Sequence, residues 1–139
     1  MSRFDILGLA GNRRRTPRQS AWHTNANRAV DQEYLSGIVG FGKGFPPEGI
    51  DFYGPPCQEV KLLDGVMLIA RSEALLAKQI RFDEQFDFHF YDLDFCRQAE
   101  QHGLRMGTWN ISVVHESGGH YGGPRWESAY ARYLEKWRS

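Results

Sequence analysis

Two carboxylates two residues apart, Asp92 and Asp94 in the run YDLDFC (91–96), are the residues here best suited to proton transfer. A helix pattern begins at this run, and the partial positive charge at a helix start favours ionised carboxylates. A base must reach the hydroxyl proton it removes and must be held rigidly. Asp92 facing a cleft meets both needs. Asp94 then points elsewhere around the helix, where it can bond backbone amides or a basic side chain. The plainer alternative is that one aspartate caps the helix and the other is solvated.

Three further groups carry chemical potential. HESGGH (115–120) puts His115 at the end of a strand pattern, followed by two glycines that let the chain turn sharply. An imidazole there can ligate a divalent metal or contact a phosphate, or simply bond within the turn. LDG (63–65) sets Asp64 and Gly65 between two strand-like runs, which by itself marks a turn. RRRTPR (13–18) offers guanidinium forks to a phosphate, or a solvated loop. Cys57 and Cys96 are the only cysteines, too few and too far apart for a disulfide framework or a zinc cluster. No P-loop, GxGxxG, GxSxG or paired CxxC is present.

These groups need elements to position them. FDILGLA (4–10) reads as one buried strand ending at Gly11, and the polar stretch after it, with Pro17, as a loop. Residues 34–44 mix β-formers with four glycines, which suggests a hairpin, and 45–56 reads as another loop. QEVKLL (58–63) and GVMLIA (65–70) read as strands, and Ser72 as the cap of a short helix. A second helix starts near Tyr91 or Asp92 and runs to His102, with Gly103 after it. Residues 104–115 follow as a strand bulged at Gly107. Trp126, Ala129, Tyr130, Tyr133, Leu134 and Trp137 recur on one face of a last helix, expected to rest on the sheet. Strands alternating with helices predict a mixed α/β sheet with flanking helices in one domain.

The composition narrows the partners. Lys and Arg total 17 and so do Asp and Glu, so no charge imbalance points to nucleic acid or an acidic membrane surface. No apolar run approaches the roughly 20 residues that span a bilayer, and no secretory signal follows Met1. A cytoplasmic location is expected. A sheet edge left open would suit a second copy of the chain.

FDILGLAG (4–11), LLDGVMLIARS (62–72), IRFDEQFDFHFYDLDFCRQAEQHGLRMG (80–107), ISVVHESGGHY (111–121) and LEKW (134–137) follow in order. In that order and spacing the chain resembles family-2 glycosyltransferases of the GT-A fold, in particular the bacterial branch related to streptomycin biosynthesis. The resemblance spans residues 1–139 as one domain like the acceptor-side half of such an enzyme. The nucleotide-binding half with its metal-chelating DxD is not among the matched blocks. Asp92-Leu93-Asp94 spells DxD but falls where the family's catalytic-base motif belongs. The resemblance implies inverting transfer from a nucleotide-diphospho-sugar to an acceptor hydroxyl. Asp92 would be the base. Asp64, Gly65, Asp94 and Trp109 would face the acceptor, and His115 would contact a Mn²⁺ or Mg²⁺ ion and the diphosphate. Tyr91 replaces the family's usual first acid. Tyr121 and Trp126 are further rings that could stack on a sugar. The alternative is a non-catalytic sugar- or nucleotide-binding, or oligomeric, remnant of that family.

Overall fold

The computed structural model describes residues 3–116 and 121–138. Its architecture is mixed α/β, with two sheets where the sequence predicts one, and three helices. The run FDILGLA is not a single strand. It divides at Leu9 into β1 (Ile6–Gly8) and β2 (Ala10–Asn12), and each half joins a different sheet. The next apolar pair divides in the same way. QEVKLL becomes β5 (Glu59–Val60) in the first sheet and β6 (Leu62–Leu63) in the second. FDILGLA is buried almost throughout, so no alternation marks where it changes sheet. In QEVKLL exposed and buried residues alternate from Glu59 to Leu62 without a break at Lys61, where the chain passes from one sheet to the other.

In the first sheet β1 lies between β7 (Leu68–Ala70), antiparallel, and β8 (Met106–Thr108), parallel, with β5 beyond β8. In the second, β2 pairs with β6 and with β3 (Leu35–Phe41), and β3 pairs with β4 (Gly49–Gly54). A short β9 (Val114–His115) runs parallel to the end of β3. Residues 49–54, expected as loop, are therefore a strand. Ile50, Phe52 and Tyr53 favour extended backbone, and the Pro and Gly residues around them disguise it. Residues 104–115 are two short strands separated by an irregular stretch. Gly107 is no bulge: it pairs in register with Leu7 and Glu59, and the Phe4 ring occupies the space a side chain would need.

The helices are α1 (Ser72–Lys78), α2 (Tyr91–Gln101) and α3 (Pro124–Trp137). Ser72 is the first residue of α1, not its cap; Arg71 takes that place with no side-chain bond. At the end of α2, Gly103 adopts φ +74°, the left-handed turn that glycine makes without steric cost. α2 packs on β6, where the Leu63 N–H donates to the Cys96 sulfur at 3.2 Å. Burial pushes the Cys96 thiol pKa far up, so it stays protonated and inert. The apolar face of α3 (Trp126, Ala129, Tyr130, Tyr133) meets the segment before α2: Phe90 lies within 5.5 Å of the Trp126, Tyr130 and Tyr133 rings. The expected contact is thus made with Phe86, Phe90 and α2.

The polar excursion 13–34 has few regular elements, yet a buried network fixes it. Asn12 donates to the Trp22 carbonyl (3.0 Å) and to Asp31 (3.1 Å). Arg14 forms a fork to both Asp31 oxygens (2.9 and 2.6 Å) and stacks on Tyr34. Its guanidinium holds the Asp31 carboxyl below the usual range. Arg15 is paired with Glu100, and Arg13 with the Glu33 carbonyl. Arg13, Arg14 and Arg15 of RRRTPR are thus engaged within the fold, while Arg18 is exposed. Among the described residues no helix is long and apolar enough to cross a membrane.

β2 leaves no room for a side chain at Gly11, where a Cβ would collide with the Leu62 carbonyl. That obstacle is backbone and cannot swing aside. Gly11→Ala is expected to lower stability by roughly 1–3 kcal/mol. A reduced urea midpoint at unchanged slope is the measurement that checks it.

Candidate functional site

The first turn of α2 carries both aspartates of YDLDFC, and the residue before it sets their direction. Phe90 sits at φ +69° with no side-chain cap. A left-handed conformation at a non-glycine residue costs roughly 1–2 kcal/mol. The stacking of its ring against Trp126, Tyr130 and Tyr133 offsets that cost. The chain then enters the helix with Asp92 turned toward the β6–β7 turn and Asp94 toward α3.

Asp92 is half-buried. One carboxylate oxygen accepts the Gly65 N–H at 3.0 Å, and the other accepts the Leu93 N–H at 2.9 Å, an amide of the first helical turn. Tyr91 closes the same contact by donating its hydroxyl to the Gly65 carbonyl at 3.2 Å. Any Cβ at position 65 would strike that hydroxyl, so the Asp-Gly pair needs its glycine. Asp64 precedes it, with its own N–H bonded to the Ala10 carbonyl. The structure thus brings Asp64, Gly65, Tyr91 and Asp92 together.

Burial raises both acids, and the Asp64 charge raises Asp92 further. Burial, then the Asp64 charge, pushes Asp92 up to about 6, against the pull of the backbone N–H groups. Burial also raises Asp64, opposed by the amides of Val66 and Gly65. Tyr53 on β4 lies close enough to feel both Asp51 and Asp64, and burial with those charges pushes its hydroxyl up to about 12. Sequence reasoning missed Tyr53, because β4 itself was hidden. Its ring meets Trp22 edge-on at 5.0 Å, and Trp22 meets His23 at 5.3 Å. Burial lowers the pKa of His23 and favours the neutral imidazole.

The other expected site residues lie elsewhere. Asp94 does not face an acceptor: it is fully buried (0% exposed). Its oxygens accept from Trp137 Nε1 (2.9 Å), Lys136 Nζ (2.8 Å) and Gln98 Nε2 (2.8 Å). That network joins the last turn of α3 to the first of α2, the second of the two roles its position allowed. Trp109 follows β8 with its side chain exposed and its backbone N–H on the Gly8 carbonyl. His115 ends β9 opposite Phe41. The bonds that tie Asp92 to the Asp64–Gly65 turn include neither residue. Tyr121 bonds Ser20 at 2.8 Å and packs on Trp126, which is core. Ser117, Gly118, Gly119 and His120 lie outside the described residues.

No protein-family model matches the chain, and neither a curated protein nor a solved structure matches it. What the site can do follows from its geometry. The implied Mn²⁺ or Mg²⁺ finds no matching donor set. Among the described residues no three His, Cys, Asp or Glu side chains converge to hold an ion. The chemistry that the arrangement offers is proton transfer by a raised carboxyl beside a second acid.

Asp92 rises from 3.8 to about 6 on folding, so the folded protein holds this proton more tightly than the unfolded chain. Stability from this group is full below about pH 4 and falls as pH rises to about 6, by on the order of 3 kcal/mol. Asp92→Asn does not titrate and is expected to flatten that fall, leaving the part due to Asp64. Its lost backbone bond, worth about 1–3 kcal/mol, offsets the relief at neutral pH. Net stability at pH 7.5 should therefore change little. Urea titrations of both proteins from pH 4 to 7.5 check this.

Proposed function

We propose that this chain is the acceptor-side part of a GT-A-like, family-2-like glycosyltransferase, and that Asp92 is its general base. The observation that carries the reading is Asp92 itself. It is held at a helix start by two backbone N–H groups, beside Asp64, with its pKa pushed up to about 6. A base works best with a pKa near the working pH, because it must be ionised yet still bind a proton well. An ordinary surface aspartate is too weak. Here burial and a neighbouring charge supply the adjustment.

In this reading an acceptor hydroxyl approaches Asp92 on its solvent-accessible side. Its proton passes to the carboxylate as its oxygen bonds the anomeric carbon of a nucleotide-diphospho-sugar. The bond from that carbon to the diphosphate breaks on the opposite face, and the nucleoside diphosphate leaves with the electron pair. The configuration at the anomeric carbon inverts. Asp64 keeps Asp92 basic and stays close enough to orient the acceptor. Tyr91, in place of the family's usual first acid, holds the Gly65 turn against the base. Asp94 acts through position alone, by anchoring the helix that carries Asp92.

Transfer from UDP-, GDP- and dTDP-sugars to hydroxyl acceptors tests the proposal. Activity should rise with pH along an acid limb centred near 6, where Asp92 ionises. Asp92→Asn should lose at least about 100-fold in kcat, within the range general bases contribute. Unchanged turnover removes Asp92 from the role. Asp64→Asn should move the acid limb to lower pH, because a negative neighbour is gone. The shift should be less than about two units, since burial is the larger cause.

A further inference from the structure

The β3–β4 hairpin has two unlike faces. Val39 is buried and Tyr53 meets Trp22, so one face belongs to the core and to the Asp64–Asp92 side. The other carries Ile38 opposite Phe52 and Gly40 opposite Ile50. Ile50 is 63% exposed, Phe52 62%, and Phe45 in the connecting turn 71%. β4 is also the last strand of its sheet among the described residues.

The backbone hydrogen bonds say which groups that edge presents. Gly40 donates its N–H to Val113 and Gly42 to His115, both toward β9. Val39 and Phe41 therefore turn their N–H and C=O toward β4, where they meet Asp51 and Gly49. The next residues along β4, Ile50 and Phe52, turn theirs to the open edge. The same two residues supply the exposed apolar side chains and the unpaired main chain.

We propose that β4 is the contact edge of a symmetric dimer, in which β4 of a second copy continues the sheet antiparallel and the two sets of Ile50 and Phe52 form one apolar seam. A patch that combines free strand hydrogen bonds with apolar side chains matches itself under two-fold symmetry. Its size fits. Taking about 200 Å² for a large side chain, Phe45, Ile50 and Phe52 expose on the order of 400 Å² of mostly apolar surface. At the roughly 57% apolar share of ordinary interfaces, that corresponds to about 700 Å² per copy, close to the roughly 800 Å² of a stable contact. Charge fits as well. The hairpin carries Lys43 with Glu48 and Asp51, so it offers both signs to a copy of itself and no excess of positive charge to an anionic membrane. Asp51 lies on the opposite face. The one register that sets Asp51 against itself is disfavoured, and a shift of two residues places it across from Tyr53 in the facing strand.

Light scattering on the whole chain between roughly 1 and 100 µM tests this, the range expected of a contact this size. The expected result is a concentration-dependent dimer, with Phe52→Glu weakening association at least ten-fold while circular dichroism stays unchanged. Should that variant fail to fold, a second test is independent of it. In a Cys57→Ser background, Phe52→Cys should be joined to a covalent dimer by a short bis-maleimide, whereas Glu135→Cys on α3 should not. A wild-type chain monomeric at 100 µM overturns the proposal, as does a Phe52→Glu protein that dimerises equally well. A monomer that sediments with neutral phosphatidylcholine vesicles overturns it in favour of a lipid surface.

Discussion

The first turn of α2 is held from two sides by two residues of the same type. On one side the Asp92 carboxylate accepts the Gly65 N–H and ties the helix to the turn between β6 and β7. On the other, the Asp94 carboxylate accepts from Lys136 and Trp137 and ties the same turn to the end of α3. The left-handed Phe90 aims the pair, and the rings of α3 hold Phe90 in place. Loosening any of these contacts would change the direction of Asp92, so the position of the candidate base is a property of the whole core.

The same arrangement divides the chemistry. A buried charge is tolerated when donors surround it, and Asp94 has three side-chain donors, one of them cationic. Asp92 has only backbone amides and a second acid for company, so its proton binds more tightly. Two residues of chain separate a carboxylate bonded to a cation from one whose pKa is raised. The polar excursion 13–34 contributes from the far side. Its Asn12–Arg14–Asp31 network places Trp22, and Trp22 backs Tyr53 near Asp64. The order of this excursion comes from buried hydrogen bonds, since it has little regular backbone pairing.

Much of this was legible in the residues, and the gaps have a common cause. α3 shows the 3.6-residue period of a helix with one buried face, and Gly103 marks where α2 stops. The nearness of Asp64 and Asp92 was implied only by the resemblance. FDILGLA was misread as a single strand because burial on all sides erases the alternation that would show the change of sheet, and QEVKLL because its alternation runs on through Lys61, where the sheets part. β4 was missed because Pro and Gly at its ends outweigh the three β-formers inside it. Tyr53 was lost with it. Asp94 could not be assigned between two roles, since either a cleft or a basic side chain can satisfy a carboxylate at a helix start.

By itself, the sequence determined periodic and local features: helix positions, turn glycines, and which acids sit at a helix start. These depend on neighbours within a few residues, and the side chains themselves encode them. Only the tertiary structure decided which of the paired aspartates is neutralised by a cation and which is left beside another acid. That outcome depends on Lys136 and Trp137, more than forty residues downstream of Asp92, and on Asp64, well upstream. A carboxylate's reactivity is set by the charges and donors around it in space, and long-range packing alone brings those together.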